Sequence, residues 1–127
     1  MCLDTVMAMV VTKHTGWKVF TLGIDRSELL GYSFGRYRSK IRPIGKWINE
    51  KDFRISDRDT LFSNFGDIEY PLGWHIFDDK RGAEEWMGGS SSGAMTIKKV
   101  RYYGVVAVGE QNGYRVIVAR YIKIERS

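Results

Sequence analysis

The residues best placed to do chemistry in this chain are four cations at strict two-residue spacing, Arg36, Arg38, Lys40 and Arg42. Residues two apart share one face of an extended strand, so these side chains would form a basic ladder. Tyr37 lies within the ladder and Trp47 follows it. Arginine forks suit phosphate oxygens, and aromatic rings stack on bases. The pattern predicts an anion-binding surface with Tyr37 and Trp47 as stacking residues.

The basic ladder also fits a purely structural interpretation. Clustered cations on an edge strand discourage sheet-to-sheet aggregation. Pro43 has no amide hydrogen to donate, so this segment should be an edge strand or should end at Arg42. Both interpretations of the ladder stay open at this point.

His75 is the candidate for acid-base catalysis, because Asp78 and Asp79 follow it closely. Neighbouring residues of a strand point to opposite faces, however, so closeness in sequence does not bring a carboxylate to the ring. A buried, hydrogen-bonded structural histidine is the interpretation that we favour. The only other histidine is His14 and the only cysteine is Cys2, which excludes a disulfide and a multi-ligand zinc site within the chain. Carboxylate-bound Mg²⁺ or Ca²⁺ stays possible, but the acidic pairs match no calcium-loop pattern, and we expect no metal and no cofactor.

Charge is distributed in blocks along the chain. The net charge is +5, with residues 1–48 and 97–127 basic and residues 49–96 acidic. We expect these blocks mainly to attract one another in the fold. Nucleic acid is an alternative partner that we do not favour, because the sequence has no helix-turn-helix pattern, no C2H2 spacing and no RNP-type motif.

Length and composition favour one domain over residues 1–127, since 43% of the residues are apolar. The N-terminal segment has Asp4 before a short apolar run and no basic leader. That pattern predicts neither a secretory signal nor a membrane span. We expect a cytoplasmic protein without membrane association.

The clearest structural signal is Asn112-Gly113, which suits a type I′ β-hairpin turn. It sets a register that pairs Glu110 with Arg115, Val108 with Ile117, Ala107 with Val118, and Gly104 with Tyr121. Apolar residues then occupy both faces of the second strand. Val116, Val118, Ile122 and Ile124 fall on one face, and Ile117, Ala119 and Tyr121 on the other. Such a hairpin should be central in its sheet.

The remaining elements are weaker predictions. Val6–Val11 and Trp17–Leu22 alternate like a hairpin, and residues 74–77 read as a strand. A short helix is expected near residues 57–62, and another at 80–87 with Asp78 and Asp79 as its N-cap. The fold class is therefore α+β, mostly antiparallel strands in a curled or small barrel-like sheet, with one short helix near 80–87.

The segments MCL, GWKVF, YPLGWHIF, AEEW and VVAVGEQNGYRVIVARYIKIE make the chain resemble small uncharacterised proteins encoded by phages and prophages. The resemblance implies an accessory protein that binds and blocks a host component or sequesters a small molecule. It implies a location in the host cytoplasm. It transfers no functional residue.

Together these patterns predict a non-enzymatic binding protein, as a phage counter-defence factor that sequesters an anionic, nucleotide-like ligand or blocks a host protein. One alternative is a small hydrolase or transferase that uses His75 as acid or base. Another is a structural or assembly protein that forms homo-oligomers through its sheet edges.

Overall fold

A computed structural model describes residues 3–7, 13–22, 29–31, 40–41, 45–52, 60–66, 68–88 and 95–125. Within them lie ten strands, one α-helix and one 3-10 turn, in the order β1 (Thr5–Met7), β2 (Thr15–Leu22), β3 (Leu29–Gly31), β4 (Lys40–Ile41), β5 (Trp47–Asn49), the 3-10 turn (Glu50–Asp52), β6 (Thr60–Phe62), β7 (Glu69–Pro71), β8 (Trp74–Phe77), α1 (Lys80–Gly88), β9 (Met95–Gln111) and β10 (Tyr114–Ile124).

The hairpin of β9 and β10 is the centre of the main sheet. Its turn has φ of 54° at Asn112 and 80° at Gly113, the positive values that a type I′ turn requires. β10 pairs with β9 along one edge and with β8 and β5 along the other. The predictions of the turn and of a central hairpin are confirmed.

The sheet curls into a partly closed ring of antiparallel strands. β2 pairs with β9, β9 with β10, and β10 with β8. The ring closes where β8 pairs with β2 through Phe77 and Trp17. Because β10 carries apolar side chains on both faces, other hydrophobic residues must pack against it both inside and outside the ring. This arrangement confirms the predicted α+β class with a curled antiparallel sheet.

Two hydrophobic clusters provide this packing. The cluster inside the ring includes Trp74, Ile117 and Ile122, each at most 1% exposed. The outer cluster lies under α1 and the β6–β7 hairpin and includes Val116, Val118, Phe77, Ala83 and Leu61.

The helix α1 confirms the prediction at 80–87. Asp79 caps it by accepting a hydrogen bond from the Arg81 amide at 3.0 Å. Its buried Ala83 joins the outer cluster, and Trp86 packs against that cluster. No helix within the described ranges has the length and apolar character needed to cross a membrane.

The predicted pairing of the two N-terminal segments is wrong. β1 pairs with β9 near Glu110, and β2 pairs with the same strand from Met95 to Arg101. The physical reason is the length of β9, whose 17 residues offer one edge long enough for both strands. Residues 8–12 between them are outside the described ranges.

The helix predicted near residues 57–62 is also wrong for its last three residues. Thr60–Phe62 form β6, which pairs with β7 in a separate two-stranded sheet. Leu61 and Tyr70 of this pair are buried in the outer cluster, so tertiary packing selects the strand. Residues 53–59 lie outside the described ranges.

The predicted hairpin register holds near the turn and fails beyond a β-bulge. Glu110 pairs with Arg115, Val108 with Ile117 and Ala107 with Val118, as predicted. The register then shifts between Val118 and Ala119, so that Tyr121 pairs with Tyr103 rather than with Gly104.

The side chains of β10 change sides over the same stretch. Ile122 and Ile124 belong to the cluster inside the ring with Ile117, and Val116 belongs to the outer cluster. The predicted grouping of Ile122 and Ile124 with Val116 is therefore wrong. The change of sides lies next to the register shift at Val118 and Ala119, where β9 carries one residue more than β10 and the regular pairing is interrupted.

Candidate functional site

The basic ladder lies largely outside the described residues. Arg36, Tyr37, Arg38 and Arg42 are not described, and of Lys40 only the backbone is. That backbone forms β4, which pairs with β3 and is the last strand in the sheet order. Among the described strands, β4 thus has the edge position that was predicted for Lys40, and the ladder's role in anion binding stays a prediction.

Trp47 is the predicted ligand-binding residue whose side chain is described, and it lies on the outside of the ring. It alternates on β5 with Ile48, which is 3% exposed and belongs to the inner cluster. β5 pairs with β10, placing Trp47 opposite Lys123 and Asn49 opposite Tyr121. Outward side chains of β5, β10 and β9 therefore share one surface.

Three aromatic rings meet on that surface. The Tyr103 and Tyr121 rings stack with centroids 4.4 Å apart and planes 8° from parallel. The Trp47 ring meets Tyr103 edge-on at 4.7 Å and 75°. Trp47 is 46% exposed and Tyr103 is 44% exposed. We call the group of Trp47, Tyr103 and Tyr121 the aromatic face.

The bulge and Gly104 set the position of Tyr121. Gly104 has φ of 71°, a left-handed backbone conformation that is unfavourable for residues with a Cβ. A Cβ at this position would lie 3.3 Å from Cδ2 of the Tyr121 ring. The ring therefore lies close against the glycine, as expected when an aromatic side chain covers a glycine in a sheet. The predicted contact exists although the predicted backbone pairing does not.

Cations surround the aromatic face. The Lys123 Nζ lies 6.0 Å from the Trp47 ring centroid, within cation–π range. Lys46 is exposed beside Trp47. Arg101 pairs with Lys123 across the strands, and its Nε donates to the Glu125 Oε1 at 2.9 Å. One lysine and one ion-paired arginine thus border the rings.

His75 has a buried, structural environment. It is 4% exposed, and its Nε2 lies 3.0 Å from the Tyr70 hydroxyl. That hydroxyl also accepts a hydrogen bond from the Leu3 amide at 2.9 Å, so the histidine contributes to a contact that ties the N-terminal segment to β7. This geometry fits a structural histidine and gives the acid-base alternative no support.

The carboxylates after His75 are engaged elsewhere. Asp79 caps α1. Asp78 lies 3.8 Å from the Lys13 Nζ and 3.9 Å from an Arg115 nitrogen. These two contacts join the acidic middle of the chain to its basic ends, as the charge blocks predicted.

Two buried charged residues were not predicted from the sequence. Lys18 is 2% exposed and Glu50 is 1% exposed. The Lys18 Nζ donates to the His75 carbonyl at 3.2 Å and lies 5.4 Å from the Trp74 ring centroid. A backbone carbonyl and an aromatic ring compensate for part of the cost of burying this ammonium group. Burial keeps it away from solvent, which suits a structural role.

Sequence reasoning found Trp47 but missed Tyr103, Tyr121 and Lys123 as candidate site residues. The available signal was their position at alternate, outward residues of the closing hairpin. Among the described residues, no group of three or more His, Cys, Asp or Glu side chains could hold a metal ion.

No family model, no curated protein and no solved structure matches this chain. The resemblance to phage-encoded proteins therefore stays a prediction.

Proposed function

We propose that this protein is a non-enzymatic binding protein that holds an anionic ligand with a flat ring, such as a nucleotide, on its aromatic face. The observation that carries the proposal is the exposure of Trp47 and Tyr103 next to Lys123. Sequestration of such a ligand would suit the phage counter-defence role that the resemblance implies.

The exposure of the rings supports binding rather than folding. A fully buried aromatic side chain contributes strongly to stability, whereas Trp47 and Tyr103 leave nearly half of their surface in water. Contiguous exposed apolar surface commonly marks a binding site. Tyr103 already stacks on Tyr121, so a planar ligand would extend an existing stack or cover Trp47.

Cations beside the rings would bind the anionic group of the ligand. Within the described residues, Lys123 forms no ion pair, so its charge is available to an anion. An ammonium group beside an exposed ring suits a ligand that carries a phosphate next to a base.

Native mass spectrometry with a panel of nucleotides and cyclic dinucleotides tests the proposal directly. We expect a retained adduct whose mass gives ligand and stoichiometry together. Thermal unfolding with the same panel should show stabilisation, because a ligand at a hundred times its Kd stabilises the folded state by about 2.7 kcal/mol. Trp47→Ala should weaken binding by roughly 5- to 150-fold, the effect of losing one stacking ring.

Phe65→Ala is the matched control, because Phe65 is 65% exposed and lies in the turn between β6 and β7. It should bind the ligand like the wild-type protein. Absence of any adduct and of any thermal shift across the panel would overturn the proposal, as would unchanged binding by Trp47→Ala. Capture of a host protein by the wild-type chain and not by Trp47→Ala would instead assign the face to the blocking role.

A further inference from the structure

The outward surface that carries the aromatic face continues across the ring to β2. The pairings place Thr15 opposite Arg101, Arg101 opposite Lys123, and Lys123 opposite Trp47. One row of side chains therefore runs over four adjacent strands. Val100 and Ile122, which alternate with this row, are buried inside the ring, so the row faces outward.

A second group of one ring and two cations lies at the β2 end of this surface. Trp17 pairs with Lys99 across the strands. The Lys99 Nζ lies 6.0 Å from the Trp17 ring centroid, and the Lys80 Nζ lies 5.1 Å from it. Both lysines are exposed, and within the described residues neither forms an ion pair.

The two lysines make this end of the surface attractive to an anion. Both ammonium groups lie near one ring, so two like charges share this end of the surface. A phosphate near them would offset their repulsion and gain charge-assisted contacts. The Trp17 ring is partly buried against the outer cluster, and its exposed part would be available to a base.

Three carboxylates near this surface are already engaged. Glu125 is held by Arg101, Asp79 caps α1, and Asp78 faces Lys13 and Arg115. Glu84 is a further exposed carboxylate on α1, and Lys80, Lys99 and Lys123 still give the described part of the surface more positive than negative charge.

The separation of the two ring groups exceeds what one nucleotide can bridge. β2 and β5 are three strand spacings apart, which is about 14 Å at the usual spacing of a sheet. Stacked nucleotides advance by about 3.4 Å each along a strand, so this distance corresponds to roughly four of them.

We infer that the outward surface from Trp47 to Trp17 binds single-stranded nucleic acid, with bases on the rings and phosphates on Lys123, Lys99 and Lys80. This inference rests on the proposed function and extends its ligand from a nucleotide to a chain of nucleotides. It needs no base-reading motif, because stacking and backbone charge bind single strands without sequence readout.

Fluorescence anisotropy with labelled dT2, dT4 and dT8, the matching rU oligomers and an eight-base-pair duplex tests the inference, with unlabelled TMP and UMP as competitors. We expect dT8 or rU8 to bind at least tenfold more tightly than the mononucleotides, and the preference between them identifies the sugar. The duplex should bind more weakly than the single strands, because its bases are not free to stack on the rings.

The double variant Lys80→Gln/Lys99→Gln isolates the β2 end of the surface. It should weaken dT8 binding at least fivefold and reduce the salt slope by about 1.4, the contribution of two phosphates on a single strand. It should leave mononucleotide binding at Trp47 unchanged. The control is Arg81→Gln, which removes one exposed charge from α1, the helix that carries Lys80. Arg81 pairs with Glu85 at 3.4 Å, and its substitution should change dT8 binding less than twofold.

Three outcomes overturn the inference and leave the proposed function standing. The first is a mononucleotide that binds as tightly as dT8 and rU8. The second is a double variant with unchanged dT8 affinity and salt slope. The third is equal binding of the duplex, because it would show that the oligomers respond to charge alone. Failure of mononucleotides and oligomers alike to bind would overturn both the inference and the proposed function.

Discussion

The inner and outer sides of the ring carry similar residue types in opposite surroundings. Inside the ring, Trp74 is fully buried, and its Nε1 donates to the Ile48 carbonyl at 3.3 Å. Outside, Trp47 is 46% exposed and lies near Lys123. Adjacent tyrosines repeat the contrast, since Tyr102 is 1% exposed and Tyr103 is 44% exposed.

The contrast separates the residues that hold the fold from those that are free to bind. A buried ring with a satisfied polar group stabilises the native state through its whole surface. A half-exposed ring stabilises it less and keeps a face for a ligand. Substitutions on the two sides should therefore have opposite effects on stability and binding.

Trp74→Ala should cause the largest loss of stability. It removes a buried ring and leaves a cavity, which typically costs about 3–5 kcal/mol. The partner substitution Trp47→Ala should cost less than about 1 kcal/mol and abolish most nucleotide binding. Urea unfolding of both variants measures the difference.

A similar loss of stability in the two variants would contradict this contrast. It would show that Trp47 is mainly a structural residue of β5. Trp47→Phe then helps to separate a structural role of Trp47 from its role in ligand binding, because it keeps a ring at the position and should retain part of the nucleotide binding.

Alkaline pH should destabilise the protein through Tyr102. Burial, with a smaller contribution from the Asp78 carboxylate, raises the pKa of Tyr102 to about 12 from 10.0. Above pH 10 the unfolded chain releases this proton while the native state keeps it, so stability falls as pH rises. The loss should reach about 1.4 kcal/mol at pH 11 and about 3 kcal/mol once both states are ionised.

Tyr102→Phe isolates that contribution. The Tyr102 hydroxyl is buried without a hydrogen-bond partner among the described residues, so its removal at pH 8 should be neutral or stabilising by up to about 1 kcal/mol. The variant should lose less stability than the wild-type protein between pH 8 and pH 11. An equal loss of stability in the two proteins over this pH range would show that the pKa of Tyr102 is the same in the native and unfolded states.

Features set by neighbouring residues could be predicted from the sequence. The turn at Asn112-Gly113 and the Asp79 cap depend on a few adjacent residues, and both are confirmed. Both apolar faces of β10 were visible in its pattern, which indicated a central strand. Trp47 was identified as a candidate stacking residue by its chemistry.

Features set by closure of the ring could not be predicted in the same way. The partner of β1 depends on the length of β9, whose edge extends past β2. The bulge places Tyr121 opposite Tyr103, and no short motif marks that pairing. The aromatic face was missed because it needs β5 to be placed in register with the β9–β10 hairpin, which is distant from it in sequence.

Gly104→Ala should affect both stability and the aromatic face. Its φ of 71° makes the substitution cost about 1–2 kcal/mol, and the added Cβ crowds the Tyr121 ring. Nucleotide binding should weaken as the ring moves, which anisotropy titration can measure. Gly88→Ala is the control, because a Cβ there meets open space at the end of α1. It should be neutral or slightly stabilising and should leave binding unchanged.

Glu125→Gln should have the smallest effect on stability and the opposite effect on binding. The pair of Arg101 and Glu125 joins side chains that are 60% and 30% exposed, and exposed pairs contribute about 0–1 kcal/mol. Removing the carboxylate frees Arg101 beside Lys123, so an anionic ligand should bind a few-fold more tightly. Glu85→Gln, which breaks the exposed pair with Arg81 on α1, should have a similarly small effect on stability and none on mononucleotide binding. A gain in affinity confined to Glu125→Gln would place the anion on the row of Arg101 and Lys123, whereas equal gains would indicate a general response to net charge.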